Sequence, residues 1–69
     1  MVLIFGKDTC PYTEAAREHY AASGAAFEYI NVKKSADGLE RMLAYSNGKR
    51  QVPVIVDGSD VTIGFEGGT

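Results

Sequence analysis

Cys10 is the residue of this chain best suited to chemistry, and it is the only cysteine among the 69 residues. It stands in the run Lys7-Asp8-Thr9-Cys10-Pro11-Tyr12-Thr13, between an apolar segment and a predicted helix. Pro11 suits the first position of a helix, because its φ is fixed and its missing N–H costs the helix nothing. The N–H groups and dipole of that helix start, together with Lys7, favour a thiolate. We therefore interpret Cys10 as a nucleophile and not as an inert buried residue.

A single cysteine constrains the chemistry that Cys10 can perform. The chain cannot form an internal disulfide, so a redox cycle needs a second thiol from outside. Thr13, one turn after Cys10, could donate its hydroxyl to the thiolate but could not resolve a mixed disulfide. With one cysteine and one histidine, no Cys/His metal cage is available, and we expect neither a metal nor a resident cofactor. We interpret His19 as an ordinary helix residue, and Asp57 and Asp60 as turn residues.

Length and charge narrow the function classes. A chain of 69 residues is predicted to form one domain, residues 1–69, with a thin core. The formal net charge of −2 and the lack of a basic stripe argue against nucleic acid as a partner. The apolar start, residues 2–5, is too short for a signal peptide or a membrane span, so we expect no membrane partner. A free thiol is typical of a reducing compartment, which predicts a cytoplasmic protein.

The elements that must position Cys10 follow from the apolar periodicity, which predicts an α/β domain in the order β-α-β-α-β-β. Strands are predicted over residues 2–5, 27–32, 52–56 and 61–63, and helices from Pro11 to about Ser23 and from an N-cap at Ser35 to a stop at Asn47-Gly48. The right-handed crossover rule predicts that the first two strands are parallel. Pro53 cannot donate to a sheet ladder, so it is predicted at a strand start beside a functional groove.

Three motifs in order resemble those of a glutaredoxin: Cys10-Pro11-Tyr12-Thr13 after the first strand, Asn47-Gly48-Lys49-Arg50-Gln51-Val52-Pro53 before the third, and Gly64-Phe65 after the fourth. The resemblance implies a thioredoxin-like fold with a four-stranded mixed sheet, lacking the final helix of the family. It also implies a cis Val52–Pro53 bond that faces the nucleophile. Thr13 replaces the usual second cysteine, so the chain resembles single-cysteine members. It is also similar to a glutaredoxin-like group in which selenocysteine can occupy the position of Cys10.

The resemblance implies a thiol–disulfide oxidoreductase of monothiol type, active in electron transport. Cys10 would reduce glutathione mixed disulfides, and an external thiol would resolve the adduct. The thiolate-stabilising residues it implies are Lys7, Pro11 and Thr13. The glutathione-binding residues it implies are Lys7, Tyr12, Arg50, Gln51, Val52, Pro53, Gly64 and Phe65.

The chain also departs from the family pattern. Gln51 stands where a threonine is usual, and the segment 64–69 lacks the aspartate that holds the γ-glutamyl end of glutathione. Gly64-Phe65 is closer to redoxins that take electrons from thioredoxin reductase, although those use two cysteines. Two alternatives therefore stay open: a glutathione-dependent [2Fe–2S] cluster carrier, and a redoxin- or peroxidase-type reductant of one protein partner.

The expected partners follow from the same reasoning. They are glutathione or another low-molecular-weight thiol, and disulfide or glutathionylated proteins as substrates. A second copy of the chain is a further candidate, because without a final helix one sheet face would be covered mainly by the small, Ala-rich first helix.

Overall fold

The computed structural model describes residues 1–69 and contains the six elements that the sequence predicts, in the predicted order. They are β1 (Val2–Gly6), α1 (Pro11–Ala22), β2 (Phe27–Asn31), α2 (Ala36–Ser46), β3 (Val54–Asp57) and β4 (Asp60–Ile63). All four strands form one mixed sheet in the order β2-β1-β3-β4. Strand β1 pairs in parallel with β2, as the crossover rule predicts, and antiparallel with β3. Because β1 is central, the turn that follows it opens at the middle of the sheet edge.

The two helices cover opposite faces of the sheet. Alternate residues of β1 explain this arrangement, since successive side chains of a strand point to opposite faces. On the α1 face, the buried cluster consists of Val2, Ile4, Ala16 and Ile55. On the α2 face, it consists of Phe5, Ile30, Met42, Val54 and Val56. The central strands are therefore apolar on both faces, which is typical of a sheet covered on both sides.

Phe65 adds to the cover that α1 was expected to give to its face of the sheet. Its half-buried ring packs against the cluster on the α1 face, and its centroid lies 5.5 Å from that of the His19 ring on α1. The aromatic side chain thus shares the covering of this face with the helix.

The ends of α2 follow the signals in the sequence. Ser35 Oγ accepts a hydrogen bond from the N–H of Gly38 at 3.0 Å, and Asn47 ends the helix with a left-handed φ of 58°. Gly38 lowers the intrinsic helix propensity, but the structure gives it a packing role. A Cβ atom at this position would lie 2.5 Å from Ile30 Cγ2. The glycine therefore lets α2 approach β2 closely.

Several predicted boundaries need correction. The third strand begins at Val54 and not at residue 52, because Val52 and Pro53 form a cis peptide bond ahead of the ladder. The second strand ends at Asn31, one residue early, and the first helix ends at Ala22 with Ser23 as its cap. Asp60 belongs to β4 and pairs with Asp57 across the predicted hairpin turn. Neither helix is long and apolar enough to span a membrane.

Candidate active site at the start of the first helix

Cys10 occupies the N-cap position of α1, and Pro11 is the first residue of the helix. The Cys10 N–H donates to the Lys7 carbonyl at 3.3 Å, which closes a tight turn between β1 and α1. No side chain caps the helix, so the N–H groups of its first turn face the sulfur without a competing side-chain acceptor. Only 4% of the Cys10 surface is exposed. The sulfur thus lies at the positive end of a helix dipole, largely out of water.

The surroundings of the sulfur favour its ionised form. Burial would raise the pKa of the Cys10 thiol, yet the net shift is downward. The Thr13 hydroxyl, the N–H groups of Thr13 and Tyr12, and the positive charge of Lys7 all favour a charged sulfur and together lower the pKa of Cys10. A lowered pKa increases the fraction of thiolate, which is the nucleophilic form of cysteine. The prediction of a thiolate at Cys10 therefore has a geometric basis in the first turn of α1.

Thr13 lies directly behind the sulfur and is completely buried. Its Oγ1 atom makes no hydrogen bond of standard geometry, so its interaction with the sulfur is looser than an ordinary hydrogen bond. Such an interaction strengthens when the acceptor carries a charge. Gly6, at the end of β1, makes room for this side chain, since a Cβ atom there would lie 2.6 Å from Thr13 Oγ1. The absence of a side chain at Gly6 therefore leaves the space that the buried Thr13 side chain occupies.

The cis Val52–Pro53 segment faces Cys10, as the family resemblance implies. The Cys10 Sγ–H group donates to the Val52 carbonyl across a long 3.9 Å contact. Pro53 is buried, and its carbonyl accepts a hydrogen bond from the Gly64 N–H at 2.6 Å. The loop ahead of this segment is also fixed, because Ser46 Oγ donates to the Lys49 carbonyl at 2.7 Å. Contacts from α2 and from the segment after β4 thus hold the backbone opposite the sulfur.

A small groove with a volume of about 180 Å³ is lined by Lys7 and Val52, the two residues whose carbonyls accept hydrogen bonds from Cys10, although Cys10 itself does not line it. Its floor is apolar and its charged residues are all cations. The lining residues are Lys7, Val32, Lys33, Leu39, Met42, Arg50 and Val52. A groove of this kind suits a ligand that combines a carboxylate with a short apolar stem. Lys7, Arg50 and Val52 are among the binding residues predicted from the sequence, whereas Lys33 is not.

The segment after β4 folds into a tight hairpin on the other flank of the site. Phe65 and Gly68 exchange two backbone hydrogen bonds, of 2.7 and 3.0 Å, around a turn in which Glu66 and Gly67 have φ values of 51° and 82°. Gly68 packs directly under the Tyr12 ring, where any side chain would collide with it. Tyr12 itself is 42% exposed beside the nucleophile.

The predicted binding residues are therefore not all in one place. Lys7, Arg50 and Val52 line the groove, while Tyr12, Pro53 and Gly64 form the opposite flank. Gln51 is exposed and lines no groove. The Phe65 side chain packs on the α1 face of the sheet, so it could contribute to binding only through its backbone.

The other candidate chemical groups lie outside the site. His19 is exposed on α1 and contacts Tyr20 and Phe65 edge-on or tilted. Asp57 and Asp60 close the hairpin between β3 and β4. No group of three His, Cys, Asp or Glu side chains gathers in a geometry that could hold a metal ion.

Comparison with known proteins supports the same architecture. The glutaredoxin family model matches residues 2–61. The glutaredoxin grx-1 from Archaeoglobus fulgidus is 30% identical, with a TM-score of 0.80 over 93% of this chain and 74% of that one. Wheat glutaredoxin is 29% identical, with a TM-score of 0.74 over 91% of this chain but only 60% of that one. The glutaredoxin-like NrdH-redoxin from Escherichia coli is 28% identical, with a TM-score of 0.79 over 93% and 82%.

No curated protein matches this chain. The structural neighbours share the thioredoxin-like arrangement of a four-stranded mixed sheet and flanking helices, which confirms the predicted fold class.

Proposed function

Because this chain belongs to the glutaredoxin family, we propose that it is a monothiol thiol–disulfide oxidoreductase that reduces glutathione mixed disulfides through Cys10. The observation that carries the proposal is a single cysteine at the start of α1, with a lowered pKa and the Val52 carbonyl opposite its sulfur. Family membership supports the thiol-oxidoreductase class. The monothiol route and the preference for glutathione are the proposed part.

The proposed cycle consists of two exchange steps. In the first, the Cys10 thiolate attacks the glutathione sulfur of a mixed disulfide, a Cys10–glutathione disulfide forms, and the substrate leaves as a thiolate that takes up a proton. In the second, the thiolate of a second glutathione attacks the bound glutathione sulfur. Oxidised glutathione leaves and the Cys10 thiolate is restored. In sum, one free glutathione is consumed, the substrate sulfur is reduced to a thiol, and the glutathione from the mixed disulfide leaves joined to the incoming one, so no second cysteine is needed in the chain.

The groove beside Cys10 supports glutathione as the ligand. Lys7, Lys33 and Arg50 give it three cations, which attract the glycyl carboxylate of the tripeptide. We propose that the backbone of Val52 pairs with the peptide, as the resemblance implies, while Tyr12 and Gly64 border its other end. Gln51 and Phe65 are the weakest members of this proposed set, since neither side chain lines the groove.

The test is adduct formation followed by turnover. Mass spectrometry after incubation with oxidised glutathione should find one glutathione per chain, located on Cys10. The variant Cys10→Ser should take up none. Turnover of a glutathione mixed disulfide should then proceed with glutathione as the electron source. Wild-type protein that acquires no adduct on Cys10 would refute the proposed function.

The electron donor has a second candidate, thioredoxin reductase. The similarity to the Escherichia coli NrdH-redoxin, a protein described as having a thioredoxin-like activity profile, favours it. The same turnover assay should therefore be run with glutathione and with thioredoxin reductase in parallel. Activity with the reductase and none with glutathione would replace the glutathione cycle with a redoxin-type one.

A further inference from the structure

Four side chains form a polar cluster on the β2 side of the active-site turn, and we call Asp8, Arg17, Tyr29 and Lys34 the Asp8 clamp. The Tyr29 hydroxyl donates to Asp8 Oδ1 at 2.8 Å. Arg17 Nη1 lies 4.0 Å from the same oxygen, and Lys34 Nζ lies 3.9 Å from Asp8 Oδ2. Asp8 thus has one short hydrogen bond and two cations around it, although it sits only two residues before Cys10 in an exposed turn.

The hydrogen bond from Tyr29 is the specific contact of the clamp. The two ion pairs are exposed and long, and pairs of that kind contribute little. Arg17 is also shared with Glu14, which it contacts at 2.9 Å. A short bond from a phenol to a carboxylate is stronger than one between neutral groups, because the acceptor carries a charge. Tyr29 therefore decides where the Asp8 carboxylate lies.

The core of the protein fixes the Tyr29 ring. Tyr29 pairs with Ile4 in the sheet, and its ring packs against the cluster on the α1 face. The Arg17 guanidinium covers the ring, with its carbon 4.1 Å from the centroid. Burial and the bond to Asp8 raise the pKa of Tyr29 to about 12. The hydroxyl consequently keeps its proton, and can donate, at every pH at which a cysteine titrates.

We propose that Tyr29 is a positioning residue for the nucleophile, which holds the Asp8 carboxylate on the β2 side of the Lys7–Cys10 turn and away from the sulfur. All three partners of Asp8 lie on α1, on β2 or just after β2. A released carboxylate could turn towards Lys7 and Cys10. It would then offset the positive charge of Lys7, which helps to lower the pKa of Cys10. The inference rests on the proposed function only in taking Cys10 as the reacting group.

The test replaces Tyr29 with phenylalanine, which removes the hydroxyl and keeps the ring. The measurement is the pH profile of Cys10 alkylation by iodoacetamide. Tyr29→Phe should raise the apparent pKa of Cys10 by about half a unit, the interaction of two unit charges about 7 Å apart when water with a dielectric constant of about 80 screens them. Below that pKa the alkylation rate should fall about threefold. The control Tyr45→Phe, which removes a hydroxyl outside the clamp, should leave the profile unchanged.

A second experiment, in Asp8→Asn protein, distinguishes the positioning of the Asp8 carboxylate from a general loosening of the Lys7–Cys10 turn. In Asp8→Asn protein, the released side chain carries no charge, so adding Tyr29→Phe should no longer shift the pKa of Cys10. A shift that persists in this background would overturn the inference, as would an unshifted profile in Tyr29→Phe alone. The proposed function fails separately, if wild-type Cys10 reacts with iodoacetamide but takes up no glutathione.

Discussion

Replacing Thr13 with valine should make the protein more stable and its nucleophile less reactive. Valine has nearly the shape of threonine, so it fits the space that Gly6 leaves open, where a Cβ atom would lie only 2.6 Å from Thr13 Oγ1. The substitution removes one hydroxyl and little else. Its effects on stability and on reactivity have opposite signs, because the hydroxyl destabilises the folded chain but stabilises the thiolate.

The gain in stability follows from burial. Thr13 is 0% exposed, and its Oγ1 has no hydrogen-bond partner of standard geometry. A buried hydroxyl without a partner costs roughly 1–3 kcal/mol. At acidic pH, where Cys10 is a neutral thiol, the free energy of unfolding of Thr13→Val should therefore exceed that of the wild type by about 1 kcal/mol. Chemical denaturation at that pH measures the difference.

The loss of reactivity follows because the Thr13 hydroxyl stabilises the thiolate form of Cys10. A hydrogen bond to a charged group contributes roughly 1.5–3 kcal/mol, and the loose geometry at Thr13 favours the lower end. Since one pKa unit corresponds to about 1.36 kcal/mol, Thr13→Val should raise the pKa of Cys10 by about one unit. Iodoacetamide alkylation across a pH series measures this shift. The exposed hydroxyl of Thr9, in the same turn, offers the matched control Thr9→Val, which should change neither quantity.

The same shift predicts how stability depends on pH. The pKa of Cys10 is lower in the folded chain than in the unfolded one, so between the two values the unfolded state binds more protons. Wild-type stability should therefore rise with pH through this window and lose that increment as the pH falls through the folded pKa. In Thr13→Val the rise should be smaller. The reasoning is refuted if Thr13→Val is less stable than the wild type at acidic pH while the pKa of Cys10 stays unchanged.

Two further predictions concern the groove and the helix–strand contact. Arg50→Gln removes one of three cations from the groove, so the KM for a glutathione mixed disulfide should rise severalfold with kcat little changed. The control Lys49→Gln, outside the groove, should alter neither constant. Equal effects of the two variants would contradict a local role of Arg50. Gly6→Ala introduces a Cβ atom that overlaps the Thr13 side chain. Such overpacking should lower the free energy of unfolding by roughly 1–3 kcal/mol, measured by chemical denaturation. A free energy of unfolding equal to that of the wild type would contradict the tight packing.

Local signals were sufficient to predict most of the fold. The apolar runs, the N-cap at Ser35 and the stop at Asn47 act through a few neighbouring residues, and each element lies within one to three residues of its prediction. The largest error in the predicted boundaries was the start of the third strand. A valine before a proline has the composition of a strand, but the cis bond removes Val52 and Pro53 from the ladder. Composition alone cannot distinguish the two outcomes.

Contacts between distant segments were harder to predict. Lys33 follows β2, and the parallel pairing of β1 with β2 brings it beside Lys7. Arg50 precedes β3, and the antiparallel pairing of β1 with β3 brings it to the same place. No motif in the sequence surrounds Lys33, so it was not predicted as a binding residue. The bond between Tyr29 and Asp8 spans 21 positions, and it was missed for the same reason. Phe65 belongs to the Gly64-Phe65 motif and was predicted as a binding residue. Its ring packs against the sheet instead, because burial on the α1 face stabilises a thin core.

The hydrogen-bond partners of Cys10 couple its ionisation to the binding of a substrate. As a thiol, the sulfur donates to the Val52 carbonyl, at 3.9 Å. As a thiolate it can only accept, and its partners are then the hydroxyl and N–H groups of the first helical turn, notably those of Thr13. Ionisation therefore releases the Val52 carbonyl on the side of the groove. If a peptide ligand pairs with the backbone of Val52, as we propose, the loss of one proton both activates the sulfur and frees the acceptor that the ligand requires.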